Sequence, residues 1–171
     1  SVFTYGGTEL DGKTKTYGGY SSFITVKEKF ALKIKKGQPL ERIAPLLCAG
    51  ITTYSPLKRY GTKKGSKVGV VGLGGLGHMA VKIAKAMGAE VTVFSTSPGK
   101  ETDAKKLGAK KFVVTSNPDN FNAHAGQLDL IIDTVSAKHD FSLYLSTLKT
   151  AGRLVFLGAA PEPNQFGVMA M

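Results

Sequence analysis

The chain has 171 residues, 42% of them hydrophobic, with 23 basic against 12 acidic side chains (formal net charge +11), one cysteine and 21 glycines. At roughly 100 to 200 residues per domain this length holds one full domain and part of another, and the apolar share excludes wholesale disorder. A single cysteine excludes an internal disulfide or a multi-cysteine zinc site, no apolar run approaches the ~18 residues of a spanning helix, and no secretory leader pattern stands at Ser1, so a cytoplasmic protein without a membrane partner is expected.

Taken in chain order, residues 1 to 30 are rich in Gly, Thr and Tyr, with Tyr17-Gly18-Gly19-Tyr20 and the alternating run Phe23 to Val26. This texture predicts a small β-rich unit ending near residue 32. Pro39 to Tyr60 is a helical stretch, with breaks expected near Gly50 and Pro56 and with one side against the sheet that follows. From Lys67 the chain alternates: a valine-rich strand to Val71, glycines, a helix from His78 to Met87, and a second strand from Glu90 to Phe94. The turn Ser97-Pro98-Gly99, a charged helix to Leu107 and a strand from Lys111 to Thr115 come next. Strands at Leu128 to Asp133 and Arg153 to Leu157 flank a helix from Phe141 to Lys149, with Gly152 as its stop signal. Nearly all-apolar strands alternating with helices predict an α/β fold, a doubly wound parallel sheet covered on both faces, over residues 33–171.

The basic residues fall into three separated groups: Lys27 to Lys36, Lys58 to Lys67, and Lys100 to Lys111. Only three of the 23 are arginine, and aromatic residues are not interleaved with them, so no nucleic-acid partner is expected. Solvated faces together with an anionic small ligand fit the balance better.

Gly72-Leu73-Gly74-Gly75-Leu76-Gly77 is a GxGxxG directly after a strand and at the opening of a helix. The first glycine permits the tight turn, the second lets backbone approach a pyrophosphate, and the third lets helix and strand pack closely. A dinucleotide that needs its ribose 2′-hydroxyl held would find Asp or Glu at the end of the second strand. Here Ser95 stands there, 18 residues after Gly77, followed by Thr96, Ser97 and Lys100. Three hydroxyls and an ammonium suit a 2′-phosphate, hence NADP(H) rather than NAD(H), at roughly 1.5 to 3 kcal/mol per charge-assisted hydrogen bond. The same residues also serve as turn chemistry, and the two roles are compatible.

Cys48 lies in an apolar stretch where a lone cysteine reads most simply as a small buried hydrophobe. His78, His124 and His139 show no paired ligand spacing; His78 falls in the first helical turn, and His124 and His139 look like surface loop and helix-start residues. Asp133, at a strand end, is placed to line the crevice.

These segments in this order resemble the cinnamyl alcohol dehydrogenase branch of the zinc-dependent medium-chain alcohol dehydrogenases: Tyr17 to Ser21, Pro45 to Leu57 with its Leu-Cys-Ala-Gly core, the Gly72 to Met79 loop, Ser95 to Pro98, Asp133 to Ala137, and Gly158 to Pro161. The resemblance implies a Rossmann domain that binds NADP(H) at 33–171, preceded at 1–32 by the β-rich tail of a GroES-like catalytic domain. It implies that Cys48 is one ligand of a catalytic Zn2+, and that Thr52 relays the alcohol proton beside the nicotinamide. Ser95, Thr96, Ser97 and Lys100 would hold the 2′-phosphate, and Thr134, Val135 and Gly158 would border the rest of the cofactor. The implied activity is zinc-assisted hydride transfer between a primary alcohol or aldehyde and NADP(H) in a homodimeric parent. The His-Glu pair and the four-cysteine lobe of that family are missing here, as is a sixth strand after Leu157, so the chain by itself is expected to bind cofactor and to be inactive. A zinc-free quinone or enoyl reductase of the same superfamily, or a non-catalytic NADP-sensing module, are the alternatives.

Overall fold

The computed structural model describes residues 2–161. They form two compact units, one ending at Gln38 and one starting at Pro39. Residues 162–171 of the predicted second domain lie outside the described residues.

In the first unit β1 (Tyr5–Thr8) and β2 (Lys15–Tyr17) pair antiparallel. The Thr16 hydroxyl holds the hairpin, donating to the Phe3 carbonyl at 2.7 Å and accepting from Gly7 N–H at 3.0 Å. Asp11 closes the turn by accepting from the Thr14 hydroxyl and from the Lys13 and Thr14 amides, which, the hydroxyl foremost, hold its carboxyl below the usual carboxylate value. Phe23 to Val26, expected as a strand, joins no ladder. Phe23, Ile24 and Val26 are exposed, so this alternating run has no core to pack against within its own unit.

The second unit begins with a single helical turn, α1 (Leu40–Ile43), a 3₁₀ turn at Ala44–Leu47, and α2 (Ala49–Arg59). The break falls at Cys48 rather than Gly50, and Pro56 sits buried inside α2. The sheet follows in spatial order β5-β4-β3-β6-β7, all parallel: β3 (Lys67–Val71), β4 (Glu90–Ser95), β5 (Lys111–Val114), β6 (Leu128–Asp133) and β7 (Leu148–Phe156). Between them lie α3 (Gly75–Ala86), α4 (Glu101–Leu107), a 3₁₀ turn at Pro118–His124, and α5 (Ser142–Leu145).

Two cores result from the two-residue period of the strands. On one face Val68, Val70, Val91, Val93, Leu130 and Ile132 meet Ala80, Val81 and Ala84 of α3, with Leu57 of α2 fully buried in the same cluster. On the other, Val71, Phe94, Val113 and Ile131 meet Phe121 and Tyr144. Phe94 is fully buried, stacked on Phe121 at 5.5 Å and edge-on to Tyr144 at 5.6 Å. Gly69 makes room for it: a Cβ there would stand 3.1 Å from the Phe94 ring and 2.9 Å from Leu128.

The helix predicted over Phe141 to Lys149 is confined to Ser142–Leu145, and the last strand starts at Leu148. Leu148 pairs with Leu128, and the register then jumps so that Leu130 faces Arg153. Lys149 to Gly152 bulge between those pairs, with Ala151 at φ +62°, so Gly152 interrupts a strand rather than ending a helix. The pairing of Leu148 and the ion pair of Lys149 with Asp129 outweigh the helical periodicity.

Candidate functional site

The chain runs from β3 outward to β4 and β5, then returns to lay β6 on the other side of β3. The carboxyl ends of β3 and β6 therefore diverge at a topological switch point, where open α/β sheets form their ligand crevice. A crevice of about 370 Å³ opens there, lined by the loops after β3, β4, β5 and β6.

The glycine loop differs from residue to residue. Gly72 has φ +84°, and a Cβ on it would press on Val135 at 2.9 Å. Gly77 is buried, and its Cβ would stand 2.1 Å from the Gly72 carbonyl oxygen, so the α3 start can approach β3 this closely only with glycine. Gly74 is exposed and a Cβ on it would meet nothing within 4 Å. The protein's own packing does not require glycine at 74. Gly74 stands at the amino end of a twelve-residue helix, where the first amides lack an intrahelical partner.

The turn after β4 brings the predicted phosphate residues to the rim. Ser95 is buried and its Oγ accepts from Ser97 N–H at 3.2 Å, while Thr96, Ser97 and Lys100 are exposed. Lys100 Nζ lies 3.5 Å from the Leu73 carbonyl, so the lysine reaches from this turn to the glycine loop. Lys100 and Lys138 are the lysines lining the crevice, and no carboxylate lines it among the described residues. An anion therefore meets attraction there without opposition.

The opposite wall is built on the end of β6. Thr134 N–H and Oγ–H both donate to the Val71 carbonyl, at 3.0 and 2.8 Å, and lock this wall to β3. The Asp133 carbonyl accepts from Leu157 N–H at 2.8 Å and Gly158 N–H at 3.1 Å. A Cβ on Gly158 would stand 2.1 Å from the Val135 carbonyl oxygen, so glycine lets the chain after β7 lie against the wall. Asp133 itself is buried; Val135 N–H donates to its Oδ1 at 3.0 Å, and Oδ2 lies 2.9 Å from His139 Nε2. Burial pushes its carboxyl above the usual value of 3.8, against the lowering influence of Val135 N–H and His139. Thr115, Lys138, His139 and Tyr144 also line the crevice and were not anticipated from sequence. Burial raises the Tyr144 hydroxyl above its usual value, with a hydrogen bond to Thr115 acting the other way and Asp133 and Asp140 adding to the rise.

Gly72, Leu73, Gly74, Ser95, Thr96, Ser97, Lys100, Thr134 and Val135 thus share one crevice. Gly75, Leu76 and Gly77 continue from the glycine loop into α3. Cys48 and Thr52 are not among the lining residues. Cys48 is exposed at the start of α2, which overturns its reading as a buried hydrophobe, and its carbonyl accepts from Thr52 N–H at 3.0 Å one helical turn on. Thr52 is half-buried; the neighbouring Thr53 is fully buried, with its hydroxyl spent on the Ala49 carbonyl at 2.7 Å. No group of three or more His, Cys, Asp or Glu able to hold a metal occurs among the described residues. No helix among them is long and apolar enough to cross a membrane.

Residues 75–171 match the family model described as zinc-binding dehydrogenase. The chain is 54% identical over 164 residues to alcohol dehydrogenase 9 of Catharanthus roseus, covering 95% of this chain and 45% of the relative. It superposes on a cinnamyl alcohol dehydrogenase from Sorghum bicolor with a TM-score of 0.92 at 46% identity, over 99% of this chain and 49% of that one. With CAD from Helicobacter pylori complexed with NADP(H) the TM-score is 0.83 at 43% identity, over 95% of this chain and 46% of that one. The chain spans about half the length of the relatives it matches. With the parallel sheet, the switch-point crevice and a family match over more than half its residues, the chain belongs to the zinc-binding dehydrogenase family.

Proposed function

We propose that this chain is the cofactor-binding portion of an NADP-dependent alcohol dehydrogenase that transfers hydride between a primary alcohol or aldehyde, aromatic and cinnamyl-type favoured, and NADP(H). The observation that carries the proposal is the contrast within the glycine loop: Gly72 and Gly77 are required by the protein, whereas Gly74 faces open space beside a carboxylate-free rim with Lys100 at 3.5 Å from Leu73.

The residues present fit the cofactor. Amides at the start of α3 would receive the pyrophosphate at Gly74, and Ser95, Thr96, Ser97 and Lys100 would receive the 2′-phosphate. Thr134, Val135 and Gly158 would form the wall beside the second nucleoside. The bound dinucleotide would supply the hydride. The chain's own contribution is to fix the register of the dinucleotide and to neutralise its phosphates, since Lys100 and the α3 amides donate while no carboxylate opposes them.

The residues present do not complete a zinc site. Cys48 is proposed as one ligand in the longer protein and Thr52, one turn along α2, as a proton-relaying hydroxyl, but no step is assigned to a metal here. The longer protein is proposed to be a cytoplasmic homodimer.

Side-by-side calorimetric titration of the chain with NADPH and NADH at two salt concentrations tests the cofactor assignment. NADPH preference by at least tenfold, weakening as salt rises, is expected. Equal affinities, or binding of neither by the folded chain, would overturn it.

A further inference from the structure

Asp133, which is buried, and His139, which itself lines the crevice, are joined by a hydrogen-bond pattern that fixes how many protons the pair holds. His139 Nδ1 lies 2.8 Å from the Ala137 carbonyl oxygen, which can only accept, so Nδ1 must carry hydrogen. His139 Nε2 lies 2.9 Å from Asp133 Oδ2, and a hydrogen must stand between them too, because two lone pairs at that distance repel. Either the ring is an imidazolium beside a carboxylate, or a neutral imidazole accepts from a carboxylic acid. Both forms have the same proton count and no net charge. Removing that proton leaves one of the two short contacts facing lone pair to lone pair.

The site is a built one. The Asp133 side chain is 3% exposed and the His139 side chain 17%. The His139 ring stands perpendicular to Phe141 at 4.7 Å and nearly so to Tyr144 at 5.6 Å. The other titratable or charged groups on this side are Tyr144, whose hydroxyl burial raises, Asp140, which follows His139 in the chain and acts on Tyr144, and the crevice lysines Lys138 and Lys100. The pair closes a loop: Asp133 ends β6, Val135 N–H returns to its Oδ1, and His139 returns to its Oδ2 while gripping the Ala137 backbone.

We propose that Asp133 and His139 share one proton, and that this proton holds residues 133 to 139 in place as the crevice wall that positions the nicotinamide half of the cofactor. The proposal rests on the NADP(H) assignment above. The 2′-phosphate turn follows β4, on one side of β3, and the 133 to 139 wall follows β6, on the other. A dinucleotide whose adenosine ribose sits at Ser95 and whose pyrophosphate sits at Gly74 places its second nucleoside at that wall. His139 is a positioning residue: it acts through the wall and touches no reacting atom in this assignment. Burial, which pushes the Asp133 carboxyl up, favours retention of the proton. The contribution is therefore present when the pair is protonated and is lost as pH rises.

The readout is the ratio of NADPH affinity to adenosine 2′,5′-bisphosphate affinity, measured by calorimetry at about pH 7 and about pH 9, where the 2′-phosphate, with its second pKa near 6, stays ionised. The bisphosphate carries the adenosine half alone, so losses at the 2′-phosphate turn or from global loosening cancel in the ratio. In the wild-type chain the ratio is expected to fall with the loss of the shared proton as pH rises. His139→Ala should lower it about tenfold at pH 7, the magnitude of one lost hydrogen bond. Asp133→Asn can still accept from Val135 N–H and donate its amide to Nε2 while Nδ1–H donates to Ala137, so both contacts are satisfied without a shared proton and its ratio should be the same at both pH values. A wild-type ratio independent of pH, or a pH dependence that survives Asp133→Asn, would overturn the proposal even if His139→Ala fails to fold. Binding of neither ligand by the wild-type chain would overturn the NADP(H) assignment and this proposal with it. Binding of the bisphosphate with a flat ratio would overturn this proposal alone.

Discussion

Gly77→Ala and Gly74→Ala, three residues apart, should separate folding from binding. The added Cβ at 77 meets the Gly72 carbonyl oxygen at 2.1 Å, Gly72 C at 2.9 Å and Thr134 Oγ1 at 3.2 Å. The first two are backbone atoms at the hinge between β3 and α3, so no rotamer change relieves the overlap and the helix must move off the strand. Overpacking of this kind costs about 1–3 kcal/mol, and a rigid backbone obstacle puts Gly77→Ala at about 2–3 kcal/mol. With a urea slope of about 1–3 kcal/mol per molar, the unfolding midpoint should drop by roughly 1 M or more. At Gly74 the Cβ meets nothing within 4 Å, and its φ of −98° suits any residue. As Gly74 is the N-cap of α3, where alanine is less favourable than glycine, stability should fall by only about 0.5–1 kcal/mol, well short of the loss at Gly77. NADPH affinity should nevertheless fall about ten- to hundredfold, as expected when a ligand phosphate loses one or two charge-assisted hydrogen bonds. Urea melts followed by NADPH titration of the two variants decide the matter. Wild-type affinity in Gly74→Ala would refute the cradle, and wild-type stability in Gly77→Ala would refute the packing account.

Ser95→Asp can still accept from Ser97 N–H but places a carboxylate where the 2′-phosphate is proposed to sit, so NADPH affinity should fall by one to three orders of magnitude relative to NADH in paired titrations. Lys100→Ala removes the ammonium that spans the phosphate turn and the glycine loop; NADPH affinity should drop about tenfold, NADH much less, and the salt dependence of NADPH binding should flatten. Asp129 accepts from Lys67 N–H at 2.7 Å and pairs with Lys149; burial would raise its carboxyl, but these partners together hold it below 3.8. A depressed folded value gives stability that is present above 3.8 and lost as pH falls through the folded value, so wild type should exceed Asp129→Asn in urea melts near neutrality and the gap should close in acid. Phe94→Ala empties a fully buried ring site between Phe121 and Tyr144 and should cost about 3–5 kcal/mol by the same melts.

Much of the sheet could be read from the chain because β3, β4 and β6 are largely buried on both faces and so appear as mostly apolar runs leading to Gly72, Ser95 and Asp133. Gly72 and Gly77 carried a local signal because their demands, a positive φ and a close approach, are local. The end of α5 was illegible for the opposite reason. Leu148 belongs to β7 only because Leu128, twenty residues earlier, pairs with it, and periodicity cannot register a partner that distant. His139 was read as a surface residue at a helix start; it is held in the wall by Asp133 and Ala137, on a loop whose path depends on Phe141 and Tyr144 packing behind it. A carboxylate at a strand end with a histidine six residues on is the only hint the sequence offers.

The Val71–Thr134 seam has a consequence for cooperativity. β3, β4 and β5 on one side and β6 and β7 on the other meet along a single ladder, Val68 with Leu130 through Val71 with Asp133. A dinucleotide lying across the carboxyl end of that ladder is a second, non-covalent tie between the two halves. At one hundred times its dissociation constant such a ligand adds about 2.7 kcal/mol to the folded state. Openings that part β3 from β6 must release the ligand and carry that full increment, whereas fraying confined to β7 leaves the tie intact. Amide hydrogen exchange in saturating NADPH should therefore slow most at Val70, Val71, Ile132 and Thr134, and least along the outer strand.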